Sequence, residues 1–256
     1  GSDVASVRTR ATKVDGGWLV SGEKLYITGG VRADFYVTAV RTSAEGGHGG
    51  MSFLIVDRTD GMTSSKLHKM GWAASDTASI AYEDVFVPEE NLLGERGQGY
   101  KQFLKTLDDG RIAISALAVG LAQACLEASA EYAKTRMAFG RPIGTNQGVS
   151  FQVADLAVMV EASRLLTYKA AWLKDEMEAG RRSVTEVKRA ASIAKLYSSE
   201  AAVSATRMAT QIFGGNGFME EFPVARFYRD AKILEIGEGT SEVQRMLIAR
   251  GYGLNS

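Results

Sequence analysis

The hydrophobic period of this chain changes once, near residue 98, and that single change restricts the folds open to it. Before it, apolar residues alternate or come in short runs. Residues 18–20 lie between Gly16-Gly17 and Ser21-Gly22, as in a hairpin arm and its turn. Residues 34–41 are rich in aromatic and β-branched side chains. Residues 51–57 are nearly all apolar between Gly49-Gly50 and Asp60-Gly61, and residues 78–87 alternate until Pro88 stops them. Short strands with turn signals between them predict a small barrel or sandwich. Gly46-Gly47-His48-Gly49-Gly50 reads as a flexible loop.

Beyond residue 98 the period is helical. Residues 98–108 predict a short helix and residues 111–136 a long one, whose Ala, Ser and Gly120 allow close packing. Residues 150–179 repeat apolar side chains at helical spacing, among them Phe151, Leu156, Val160, Leu165 and Trp172, and stop at Gly180. Residues 185–213 do the same and end at Gly214-Gly215, where a helix-ending glycine belongs. A last helix is expected over residues 241–250, with Ser241 and Gln244 spaced as a capping box. An antiparallel bundle follows from these lengths. Several of its helices are apolar on more than one face, which predicts burial against another subunit.

The 256 residues suffice for two ordinary domains. Thirty Lys+Arg balance 30 Asp+Glu, so no global field favours nucleic acid or an anionic membrane. The single cysteine, Cys125, excludes an internal disulfide framework and multi-cysteine zinc sites, and it reads as a core residue. With only His48 and His68 present, no metal centre is expected. The longest nearly apolar run, 112–126, is shorter than the ~18 residues of a membrane span. No signal segment opens the chain. A soluble, intracellular protein is expected.

Three motifs admit two readings each. Glu238 stands between Gly237 and Gly239, just before a helix. It reads as an acid complementing a helix N-terminus or as a general base whose flanking glycines let a ligand approach. Arg136-Met137-Ala138-Phe139-Gly140-Arg141-Pro142 reads as cationic complementation of a helix C-terminus or as a phosphate clamp. Gln211-Ile212-Phe213-Gly214-Gly215-Asn216-Gly217 reads as a helix stop or as bare backbone meeting a cofactor. Asp108-Asp109-Gly110-Arg111 reads as a helix N-cap with a local ion pair. Gly94, Gly97 and Gly99 do not form a dinucleotide fingerprint and read as a turn.

Taken in order along the chain, these motifs resemble the acyl-CoA dehydrogenases. The resemblance also includes Gly1-Ser2-Asp3-Val4, Lys24-Leu25-Tyr26-Ile27-Thr28, Met70-Gly71-Trp72 with Ser75-Asp76-Thr77, and Asn91-Leu92-Leu93-Gly94. It continues through Tyr228-Arg229-Asp230 and closes at Glu238-Gly239-Thr240-Ser241-Glu242. It implies an α+β fold, with a middle β-barrel domain over residues 1–97 and a C-terminal four-helix-bundle domain over 98–256. The family usually carries an N-terminal helical domain as well, so this chain is expected to be a fragment that starts at the barrel.

By the same resemblance, Glu238 is the catalytic base in the FAD-dependent α,β-dehydrogenation of an acyl-CoA to its trans-2-enoyl-CoA. The flavin accepts the hydride. Some members place the base just before the arginine of the Asp-x-x-Arg motif, where this chain has Gly110. Tyr26, Ile27 and Thr28 match the segment flanking the flavin ring. Arg136, Phe139, Gln147, Gln211, Gly214 and Gly215 match FAD contacts that come from a neighbouring subunit, and Thr240 and Glu242 match contacts within the flavin's own subunit. Ser2, Asp108, Arg111 and Gly239 match positions near the substrate, and Thr42 a polar residue near the CoA phosphates. The Glu238 N–H matches a donor to the thioester carbonyl. Expected partners are an acyl-CoA, an electron-transfer flavoprotein and further copies of the chain, as a tetramer or dimer in fatty-acid metabolism. The expected location is the bacterial cytoplasm or the mitochondrial matrix. The alternatives are an acyl-CoA oxidase-type relative, a non-catalytic fragment that keeps only the assembly surface, or a CoA-binding homologue without chemistry.

Overall fold

The computed structural model describes residues 2–44 and 49–254, so Gly1 and the loop expected at Gly46, Gly47 and His48 lie outside the described residues. These residues form two compact units, 1–106 and 107–256.

The first unit is built on strands β1 (Arg10–Val14), β2 (Gly17–Thr28), β3 (Phe35–Arg41), β4 (Met51–Asp57), β5 (Met62–Lys66), β6 (Thr77–Pro88) and β7 (Leu92–Leu93). They make one seven-stranded sheet in the order β5-β6-β2-β1-β3-β4-β7. Its longest ladder is the antiparallel β2–β6 pair, in register from Gly17 opposite Pro88 to Thr28 opposite Thr77, with two bulges. Period-2 alternation decides what faces the core. Along β3, Tyr36 and Val40 turn inward while Phe35 and Val37 face out. Trp18, Val20, Val40, Leu54, Val56, Ile80, Val85 and Val87 close the apolar centre. Tyr36 Oη donates to Gly30 O and the hydroxyls of Thr38 and Tyr82 lie 3.1 Å apart, while Trp18 Nε1 has no hydrogen-bond partner among the described residues. Lys24 is largely buried and donates to Ala39 O at 2.6 Å, and burial pulls its pKa down to about 8.

The expected barrel is corrected here. Among the described residues β5 and β7 are the two edges of the sheet, so hydrogen bonding does not close it. β1 and β5 also went unread in the sequence, because RATKV and MTSSK are mostly polar and exposed. Pairing with longer apolar neighbours holds them as strands.

Helix α1 (Gly99–Thr135) begins at the end of the first unit and runs on into the second. The expected break at residues 108–111 does not occur. Arg111 Nη1 meets Asp108 Oδ1 at 2.6 Å, one turn away, so the motif stabilises a continuous helix instead of starting one. By length and composition alone α1 could cross a membrane, contrary to the expectation drawn from the 112–126 run. Here its Ala122 and Cys125 are buried in the protein's own core, where burial pushes the thiol up to about 12. The two-residue strands β8 (Met137–Ala138) and β9 (Arg141–Pro142) form a small hairpin.

Next come α2 (Gln147–Glu178) and α3 (Val184–Phe213). A capping box between Ser183 and Glu186 starts α3, and Gly214, at φ 60°, ends it. The short helices α4 (Pro223–Ala231), α5 (Ile233–Ile236) and α6 (Ser241–Arg250) complete the unit. The core cluster joins α1, α2, α3 and α4 through Ala122, Cys125, Leu156, Val160, Ala205, Ile212, Phe213 and Val224. The capping-box expectation at Ser241 is corrected too. Thr240 is the N-cap and accepts from Val243 N, so Ser241 is the first helical residue and the Gln244 amide is used elsewhere.

Candidate functional site

Glu238 sits in the loop between α5 and α6 at φ 54°, with Gly239 beside it at φ 89°. A non-glycine residue in the left-handed region is strained, and such strain persists only where the surroundings impose it. Here they do. Gln244 Nε2, on α6, donates to Glu238 O at 3.2 Å and to Gly239 O at 3.0 Å. Lys195 Nζ, on α3, donates to the same Gly239 O at 2.7 Å. A Cβ on Gly239 would lie 2.7 Å from Gln244 Nε2, so this corner needs glycine twice over, for its φ and for its space. Among the described residues the Glu238 N–H has no acceptor.

The Glu238 carboxylate lies against Gly110 on α1. A Cβ built on Gly110 would fall 2.9 Å from Glu238 Cδ and closer still to Oε2. Asp108 and Arg111 belong to the same corner. Arg111 is buried, and its Nε has no partner among the described residues. Burial lowers its pKa, opposed by Asp108 and Glu238. Asp108 moves upward for the same reason, opposed by Arg111 and by Lys188, whose Nζ is 3.9 Å away. The neighbouring Asp109 pairs with Lys174. Glu242, in the first turn of α6, is held below the usual carboxylate range, first by the backbone N–H that it accepts and then by Thr240.

Thus Glu238, Gly239, Asp108 and Arg111 come together, with Thr240 following as the N-cap of α6 and Glu242 in its first turn. A second group gathers at another place in the unit. Arg136 and Phe139 flank and tip the β8–β9 hairpin, and Phe139 is 99% exposed at φ 52°. Gln211, Gly214 and Gly215 end α3. Tyr132 joins the two, stacking on Phe213 at 4.0 Å and accepting from Asn216 Nδ2 at 2.9 Å. Gln147, exposed at the start of α2, follows the hairpin. A Cβ on Gly214 or Gly215 would meet nothing within 4 Å. Among the described residues no hydrogen bond, ion pair or ring contact joins this group to Glu238.

In the first unit, Tyr26 is 74% exposed at φ 61°, beside Ile27 and Thr28 at the end of β2. Ser2 is exposed. Thr42 is buried, its hydroxyl engaged with Ser52 Oγ at 2.7 Å and Gly50 O at 3.2 Å. Among the described residues five non-glycine residues have positive φ, and Tyr26, Phe139 and Glu238 are three of them.

Sequence reasoning missed Lys195 and Gln244. Lys195 was detectable as a lysine on a buried helix face that otherwise reads Ala191, Ala194, Ser198 and Ala202. It is fully buried, and burial lowers its pKa to about 8. This gives the stability a definite pH dependence. Lys195 and Lys24 release protons near pH 8 when folded and near 10.5 when unfolded, so the unfolded chain holds more protons in between. Stability therefore rises with pH across that window, by at most ~1.4 kcal/mol per pH unit for each lysine. Cys125 has the opposite sign, titrating near 9 unfolded and about 12 folded. The denaturation midpoint should therefore climb from pH 8 to 9, with the 107–256 unit levelling off above that. A midpoint that falls steadily from pH 8 contradicts these assignments.

Known proteins resemble this chain along nearly its whole length. The model "Acyl-CoA dehydrogenase, middle domain" matches residues 1–85, and "Acyl-CoA dehydrogenase, C-terminal domain" matches residues 97–253. A Bacillus subtilis protein named acyl-CoA dehydrogenase is 44% identical over 253 residues, covering 98% of this chain and 65% of the relative. The butyryl-CoA dehydrogenase structure from Megasphaera elsdenii superposes with a TM-score of 0.91 at 42% identity, covering 98% of this chain and 65% of that one. A structure titled for the electron transferring flavoprotein of Acidaminococcus fermentans gives 0.92 at 38% identity, covering 98% and 65%. The chain spans 61–65% of the length of the first curated relatives that it matches. The chain belongs to the acyl-CoA dehydrogenase family.

Proposed function

We propose that this chain carries the base and part of the flavin site of an FAD-dependent acyl-CoA dehydrogenase, with the functional boundary between its two domains near residue 97. The observation that carries the reading is the Glu238 carboxylate, presented from a strained loop against the bare backbone of Gly110 and beside Arg111. Glu238 takes the proton from Cα of the thioester. The Glu238 N–H, which has no acceptor among the described residues, donates to the thioester carbonyl and stabilises the charge that develops there. When bound, FAD supplies the acceptor for the hydride that leaves Cβ as the Cα–Cβ double bond forms.

The second group of residues fits such a cofactor. Arg136 matches a phosphate, the exposed Phe139 ring offers a face to an aromatic system, and Gln147 and Gln211 offer amides. Gly214 and Gly215 leave room for close approach to backbone N–H groups. Tyr26, Ile27 and Thr28 are proposed to flank the flavin ring, and Thr240 and Glu242 to contact it from the base's own subunit. Ser2, Asp108, Arg111 and Gly239 are proposed to line the acyl-CoA. Butyryl-CoA is the first substrate to try, because it names a related structure, and an electron-transfer flavoprotein is the proposed acceptor.

The phosphate-matching group lies apart from Glu238 in its own chain, so a second copy is proposed to supply it. The α2 helix supports this reading. Phe151, Val158, Leu165 and Trp172, spaced by seven, are all exposed along one stripe. Leu165→Glu is expected to lower the oligomer mass in sedimentation, and an unchanged monomer in both proteins contradicts the second copy.

The reaction is tested by incubating the FAD-loaded chain with butyryl-CoA and a dye acceptor, then analysing the acyl product. The 2-enoyl thioester is expected, with reduced dye. Hydrogen peroxide made in air as fast as product would favour the oxidase reading, and no enoyl product would reject both.

A further inference from the structure

The corner that holds Glu238 contains a lysine whose presence packing does not explain. Lys195 is fully buried among Ala191, Ala194, Ser198 and Ser199, where an apolar side chain would suit the fold better than an ammonium taken out of water. Among the described residues its one hydrogen bond goes to Gly239 O, at 2.7 Å. That carbonyl also accepts from Gln244 at 3.0 Å, so both of its lone pairs are used by donors from two different helices. The carbonyl's direction is thereby fixed, and with it the left-handed turn through Glu238 and Gly239. We propose that Lys195 is a positioning residue, which holds the Gly239 carbonyl so that the Glu238 carboxylate stays over Gly110 in the reacting geometry. The inference rests on the reading of Glu238 as the base.

The charges facing Lys195 are Glu235 on α5, Glu238 in the loop, Glu200 on α3 and Arg111 on α1. The acids favour its ammonium form and Arg111 opposes it, while burial outweighs them and brings its pKa down to about 8. A neutral amine is a weaker donor than an ammonium. As pH rises through 8 the clamp on Gly239 weakens, and kcat should fall along an alkaline limb.

The test is Lys195→Met in the full chain loaded with FAD, with butyryl-CoA as substrate. Misplacing a base by about 1 Å costs on the order of 100-fold, so kcat should fall about 10- to 100-fold while KM stays nearly constant. The alkaline limb expected of the wild type should be absent. The melting temperature at neutral pH should hold or rise, because a desolvated charge has been removed. Activity and stability therefore move apart, which a merely structural role would not give. Gln244→Met should also lower kcat but keep the alkaline limb, since Lys195 remains. A kcat within about twofold of wild type, a persisting limb in Lys195→Met, or loss of cooperative melting in that variant each overturns the positioning role. A wild-type chain without turnover overturns both this role and the dehydrogenase reading. Turnover in the wild type that Lys195→Met leaves unchanged overturns the positioning role alone.

Discussion

Replacing Glu238 with glutamine is expected to leave FAD binding intact and to slow flavin reduction by an acyl-CoA by about 10²–10⁴-fold, the usual worth of a positioned base. The substitution preserves shape and removes only the ability to take a proton. The backbone of residue 238 should not move, because its left-handed turn is held through main-chain carbonyls by Gln244 and Lys195 and not through its own side chain. FAD binding should persist for a second reason. Among the described residues, no hydrogen bond, ion pair or ring contact joins Arg136, Phe139, Gly214 or Gly215 to Glu238. Anaerobic single-turnover bleaching, with bound FAD counted by absorbance, separates the two effects. Reduction at an undiminished rate removes Glu238 from the role.

Gly110→Ala should produce a loss of activity together with a gain in stability. Gly110 lies inside α1, where alanine is favoured over glycine by up to ~1 kcal/mol. The three nearest neighbours of an added methyl group are Oε2, Cδ and Cγ of Glu238, the free end of a flexible side chain. The clash is therefore relieved by swinging the carboxylate away and not by distorting the helix. The displacement should cost about 100-fold in the bleaching rate, and the melting temperature should hold or rise. Unchanged activity would mean that the carboxylate does not work from above Gly110. A lowered melting temperature would mean that backbone yielded in place of the side chain.

The sequence was most legible where local chemistry decides the structure. The two-glycine setting of Glu238 could be read directly, and so could the stop at Gly214 and the period change near residue 98. It was misleading where a tertiary partner overrides a local signal. Asp108-Asp109-Gly110-Arg111 has every mark of a helix boundary, yet the Asp108–Arg111 pair carries α1 straight through it. Ser241 and Gln244 have capping-box spacing, but Thr240 caps the helix and the Gln244 amide is drawn to the Glu238 and Gly239 carbonyls. Lys195 belongs to no motif, and its burial is what marks it out. Strands such as Met62–Lys66 carry no pattern of their own and exist through their neighbour β6. Whether a sheet closes depends on long-range pairing, which short strands with turns between them do not encode, and here β5 and β7 remain edges.

The most direct test of the account is the visible absorption of the purified chain with FAD, recorded before and after butyryl-CoA is added without oxygen. The account expects FAD to be bound and its absorption to bleach on adding the thioester. Bound FAD whose absorption butyryl-CoA and other acyl-CoA thioesters leave unchanged would contradict it.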